Sequence, residues 1–95
     1  MPNNAQISNA ELLAKTLKVA HAIRELGRQG FVARAAHLDG KRPTIEIQTS
    51  PRCTGLLRSG QAAYFSFGRE EHFGPYRQGQ FHCGGCRVVW TEFGH

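Results

Sequence analysis

An apolar stripe near the start of the chain constrains the fold more than any other feature. Leu12, Thr16, Val19, Ile23 and Leu26 recur at steps of four and three residues, the spacing that lines up side chains on one face of an α-helix. Leu13, Leu17 and Ala20 widen the stripe, while Glu11, Lys15, Lys18 and Glu25 fall on the other side. Ser8-Asn9-Ala10-Glu11 has the form of a capping box, with the Ser8 hydroxyl placed to accept the Glu11 N–H. Gly27 or Gly30 is expected to end the helix, with Arg24 and Arg28 near its negative pole. Such a helix needs a second layer to cover its apolar face.

That layer reads as strands. Phe31 to Leu38 leads to Asp39-Gly40, a pair favoured in tight hairpin turns, and Pro43-Thr44-Ile45-Glu46-Ile47-Gln48 then alternates apolar and polar. Ile45 and Ile47 are expected to face the helix. Ser50-Pro51-Arg52 breaks the strand, and the segment through Ser59-Gly60 reads as a loop with at most one short turn. Gln61 to Phe67 is expected as a third strand, and Gly68 to Gly79 as an irregular, glycine-punctuated stretch. Phe81-His82-Cys83, a Gly84-Gly85 turn and the run Cys86 to Phe93 close the chain with a last strand. The expected fold is α+β: one N-terminal amphipathic helix packed on a small, mostly antiparallel sheet of about four strands. Residues 1–7 are expected as a flexible N-terminal segment and 8–95 as one domain.

Composition narrows the function classes. No apolar run approaches the roughly 18 residues of a membrane span, so no membrane role is expected. The polar start Met1-Pro2-Asn3-Asn4 lacks the order of a secretory leader, and three cysteines make an odd number, so a cytoplasmic chain with reduced thiols is expected. Twelve Lys and Arg against seven Asp and Glu leave a net charge of +5. Residues 1–40 contribute five cations and three anions, and residues 41–95 seven and four, so there is no basic tail. After Lys41 every cation is an arginine, whose planar fork suits carboxylate and phosphate alike.

Cys83-Gly84-Gly85-Cys86 is the sharpest local motif. Two thiolates at this spacing can share a tetrahedral zinc. A redox pair would need its first cysteine at a helix N-terminus, whereas Arg87-Val88-Val89-Trp90 is strand-like. A structural zinc takes four ligands. Cys53 supplies the candidate third, and a histidine the fourth: His72, His82 or His95, with His72 preferred because it lies on a loop between the two thiol regions. The candidate site is therefore Cys53, His72, Cys83 and Cys86 around one zinc ion. Against it, the residue three after Cys53 is Leu56, so the second Cys-x-x-Cys is incomplete.

No nucleophile elbow or phosphate-cradling glycine motif is present, and Glu70-Glu71-His72 on a loop does not fix a catalytic geometry; no enzyme is expected. Eight of the nine aromatic residues lie between Tyr64 and Phe93, interleaved with Arg69, Arg77 and Arg87. Aromatic side chains beside arginines stack on bases in single-stranded nucleic-acid binders and anchor protein interfaces equally well. Some of these rings must fill the core. Arg52, Arg58, Arg69, Phe73, Tyr76, Arg77 and Phe81 are the candidate partner-binding residues.

The helix, the run Arg42-Pro43-Thr44-Ile45-Glu46-Ile47 and the closing Cys86-Arg87-Val88-Val89-Trp90 together resemble small accessory proteins of Mu-like phages and prophages, a group that overlaps in style with anti-CRISPR proteins. The resemblance implies a non-enzymatic protein that acts in the cytoplasm of a bacterial host by occupying a surface of a host protein complex. The positive charge departs from the acidic, DNA-mimicking style of many such inhibitors. The alternative expectation is a small zinc-stabilised nucleic-acid-binding regulator using the same residues.

Overall fold

The Ser8 hydroxyl accepts the Glu11 N–H at 3.1 Å and opens α1 (Asn9–Arg28), as the capping box implies. Gly30, at φ +90°, carries the chain out of the helix, and Phe31 N–H closes on the Leu26 carbonyl at 2.9 Å. The structure, a computed structural model, describes residues 8–94; the N-terminal segment 1–7 and His95 lie outside the described residues. After α1 come β1 (Ala33–His37), β2 (Thr44–Ile47), α2 (Pro51–Arg58), β3 (Ala63–Glu70), β4 (Gly74–Cys83) and β5 (Cys86–Phe93). The five strands form one sheet in the order β1-β2-β5-β4-β3. Only β2 and β5 run parallel; the other neighbours are antiparallel. No helix among the described residues is long and apolar enough to cross a membrane.

The fold is α+β as expected, with a fifth strand and a second helix. The extra strand length comes from the glycine-rich stretch. Gly68 to Gly79 belongs to a β3–β4 hairpin, in which Gly68 and Gly79 lie under aromatic rings from the neighbouring strand. A Cβ on Gly79 would overlap the ring of Trp90, and one on Gly68 the ring of Tyr76. Spacing that looks like loop composition is therefore room for rings. The second helix replaces the expected loop at 51–58. Pro51 occupies its first turn, where a missing N–H costs nothing, and Cys53, Leu56 and Leu57 share its inner side.

The expected Asp39-Gly40 tight turn does not form. Pairing closes at His37 and Thr44, since Pro43 has no N–H for the ladder, leaving a loop over 38–43. Lys15 clasps that loop, its Nζ donating to the carbonyls of Leu38 at 3.1 Å and Gly40 at 2.5 Å.

Both helices lie on one face of the sheet. Val19, Ala22 and Leu26 of α1 and Cys53 of α2 meet Ile45, Ile47, Phe81, Cys86, Val88 and Trp90 in a single core. The Val, Leu, Ile and Phe side chains among them contribute about 1.5–3 kcal/mol each when fully buried. Gly84 and Gly85 have positive φ in the β4–β5 turn, and a Cβ on Gly84 would come 3.3 Å from that of Ala22. Ala22 thus joins Val19 and Leu26 of the expected stripe as the buried residues of α1. Leu12 and Ile23 are left at the rim, and Leu13 and Leu17, expected to widen the buried stripe, are more than 60% exposed. A narrow sheet cannot cover so wide a stripe.

Candidate binding cleft between α2 and the sheet

The α2 helix is short, and Thr49 ties its entry to β5 through a 2.7 Å bond from Oγ1 to the Thr91 carbonyl. Between α2 and the far end of the sheet lies an open cleft of about 680 Å³. Thr49, Ser50, Thr54 and Arg58 form one side, and Tyr64, Arg77 and Glu92 the other.

Strand periodicity places Glu92 on the same side of β5 as the core residues Trp90 and Val88. There its carboxylate collects three donors. Trp90 Nε1 donates at 2.7 Å, Arg77 Nε at 2.8 Å, and the Tyr64 hydroxyl at 3.1 Å to each oxygen. Burial works against the charge, yet the bonds from Trp90, Arg77 and Tyr64 outweigh it and hold the carboxyl below the usual glutamate range. Tyr64 shifts upward, first because burial disfavours phenolate and then because it donates to Glu92. Arg77 also lies over the Tyr64 ring, 4.4 Å from its centroid.

The consequence is a guanidinium held by the Glu92 carboxylate and the Tyr64 ring. Arg77 gives Glu92 its Nε, which leaves the terminal nitrogens for a ligand in the cleft, and Arg58 brings a second guanidinium from the last turn of α2. Hydroxyls of Ser50 and Thr54 line the same side, while that of Thr49 is spent on the Thr91 carbonyl. Glu92 orients Arg77, with both oxygens already taken. Such an arrangement can hold an anionic group by charge-assisted hydrogen bonds.

The expected partner residues divide. Arg58 and Arg77 come together in the cleft. Arg69 is exposed on β3, on the same side of the sheet as Arg77. Arg52 turns away and lies against Gly30. Phe73 is exposed in the β3–β4 turn and Tyr76 is half-buried over Gly68, on the opposite side of the sheet from the helices. Phe81, expected at the partner surface, is instead 8% exposed and packs on Phe31 and Trp90, because it shares the inward parity of Val88.

The four expected zinc ligands are not assembled. Cys83 and Cys86 face each other across the Gly84-Gly85 turn. His72 lies beyond the other end of β4, a ten-residue strand of about 30 Å. Cys53 is fully buried under α2, beside Ser50. His82 is exposed on the outer face of β4, the alternation having turned it away from the thiols. Among the described residues no three His, Cys, Asp or Glu side chains are grouped to hold a metal ion. All three thiols are free, and burial raises the pKa of each.

The model of a protein family described as "Uncharacterised protein" matches residues 2–93. The chain belongs to that family. No curated protein matches it, and no solved structure does. The match spans both helices and all five strands, so the cleft lies within the family's extent.

Glu92 and Tyr64 were not singled out from the sequence. A signal existed: in Trp90-Thr91-Glu92 a carboxylate shares strand parity with a core tryptophan, a placement that demands partners. The partners themselves come from β3 and β4, and only the pairing of strands brings them there.

Proposed function

We propose that this chain is a non-enzymatic binding protein that docks onto a protein partner by seating an acidic segment in the cleft of Arg58 and Arg77. The observation that carries this reading is the fixed Arg77 guanidinium, oriented by Glu92 and stacked on Tyr64, with a second arginine facing it across the cleft. Preorganised arginines of this kind lose little entropy on binding and favour planar carboxylates. The resemblance to phage accessory proteins supports a host complex, an anti-CRISPR target included, as the partner class.

Affinity capture from a bacterial lysate with wild-type bait and with Arg77→Gln tests the proposal. A stoichiometric protein held by the wild type and lost, or weakened by about tenfold or more, with the variant is the expected result. Equal recovery by both baits, or recovery of nucleic acid with no protein, would refute it.

A further inference from the structure

Because α1 and α2 share one side of the sheet, its other face has no cover among the described residues. Strand register sorts that face into rows. The first runs His37, Thr44, Arg87 and His82, the second Glu46, Val89 and Gln80, the third Thr91, Gln78 and Ser66, and the fourth Phe93, Tyr76 and Gly68. Rows two residues apart are about 6.7 Å apart along a strand, so the four cover about 20 Å.

The chemistry of these rows is specific. The large apolar groups are nearly all aromatic. Phe65, 38% exposed, carries the Arg87 guanidinium 4.4 Å above its ring. At the other end Phe93 and Phe73 are more than half exposed and lie 5.2 Å apart, with Tyr76 flat against the sheet over Gly68. Between them the one sizeable aliphatic group is Val89, which is buried by its neighbours and does not belong to the core under the helices. Gln78 gives its amide nitrogen to Thr91, and Gln80 accepts from Arg87. This leaves a carbonyl on Gln78 and an amino group on Gln80 for a ligand. Cations gather at the Arg87 end, where Lys41 and Arg42 occupy the loop leading into β2. Of the carboxylates, Glu46 is engaged by His37 and Glu70 stands at the far corner of β3.

From this arrangement we infer that the uncovered face binds single-stranded nucleic acid. Sheet faces with two or three accessible rings stack two or three bases, and side-chain amides beside them meet base edges. Arg87, Lys41 and Arg42 supply charge for the phosphates. A protein partner would find few aliphatic side chains to pack against, and duplex DNA presents no unstacked bases to the rings. This surface is separate from the cleft, on the opposite side of the sheet, and either can fail without the other.

Fluorescence anisotropy of labelled oligo(dT) and oligo(U) at low salt, with the full chain, tests the inference. Binding should favour single strands over a duplex of equal length. Its log affinity should fall with log salt at a slope of about −2, the value for three phosphates. Phe93→Ala and Phe65→Ala should each weaken binding about tenfold, while both rings are exposed enough that folding, checked by circular dichroism, persists. Arg87→Gln should lower both affinity and salt slope. Arg24→Gln, which removes a cation from the outer side of α1, should leave affinity unchanged. Absence of single-strand binding at low salt overturns the inference. So does equal affinity for duplex, or binding indifferent to both phenylalanine substitutions.

Discussion

Replacing Glu92 with glutamine keeps the shape of the side chain and removes its charge. In the native chain one carboxylate oxygen takes Trp90 Nε1 and the other Arg77 Nε, with Tyr64 bridging both. Glutamine offers one acceptor oxygen, so its amino group must oppose one of these N–H donors. Trp90 is 1% exposed and cannot turn to water. Hydrogen bonds to a charged acceptor contribute about 1.5–3 kcal/mol against about 0.5–1.5 for neutral ones, and a stranded buried donor costs about 1–3. Allowing for the solvent that reaches the Arg77 side, the expected loss is about 2–4 kcal/mol. For a domain of this size each kcal/mol lowers Tm by about 4–8 °C, so the variant should melt at least about 8 °C below the wild type at neutral pH. Acid provides the sharper test. A depressed carboxyl contributes stability that is fully present above the ordinary glutamate value of about 4.3 and is lost as pH falls through the lower folded value. The gap in Tm between wild type and Glu92→Gln should therefore be widest near neutrality and narrow progressively below about pH 4. Thermal melts followed by circular dichroism across that range measure it. A gap that stays constant with pH, or no gap at neutrality, would refute the role assigned to Glu92.

Gly79→Ala should destabilise the fold by about 1–3 kcal/mol, since the new methyl enters the Trp90 ring. Gly55→Ala, in α2 with open space around it, should instead stabilise by about 0.5–1 kcal/mol; chemical denaturation of the pair checks both signs. Native-state alkylation followed by mass spectrometry should label Cys83 first and spare Cys53 and Cys86, which are fully buried. Simultaneous labelling of all three would show that the hairpin and α2 open together.

Much of this fold was legible from local pattern. The α1 helix, its Ser8 cap, the inward Ile45 and Ile47, and the Cys83 to Cys86 turn follow from periodicity and turn chemistry that act within a few residues. Other features were hidden because their cause lies elsewhere in the chain. Glycines at 68 and 79 read as loop until the rings of Tyr76 and Trp90 are laid over them by strand pairing. α2 was missed because Gly55 dilutes a helical pattern that Pro51, Cys53, Leu56 and Leu57 otherwise support.

The same division applies to the candidate sites. Sequence alone determined that the aromatics crowd the second half and that arginine is the cation there, because composition needs no coordinates. Tertiary structure decided which of them meet. Alternation along β4 sends Phe81 into the core and His82 out, a difference of one residue that no motif records. Strand length separates His72 from Cys83 and so dissolves the expected ligand set. The register between β3, β4 and β5 gathers Tyr64, Arg77 and Glu92 at one point. Local propensity sets what each segment becomes, but which side chains share a site depends on long-range pairing, and that is settled only when the whole sheet closes.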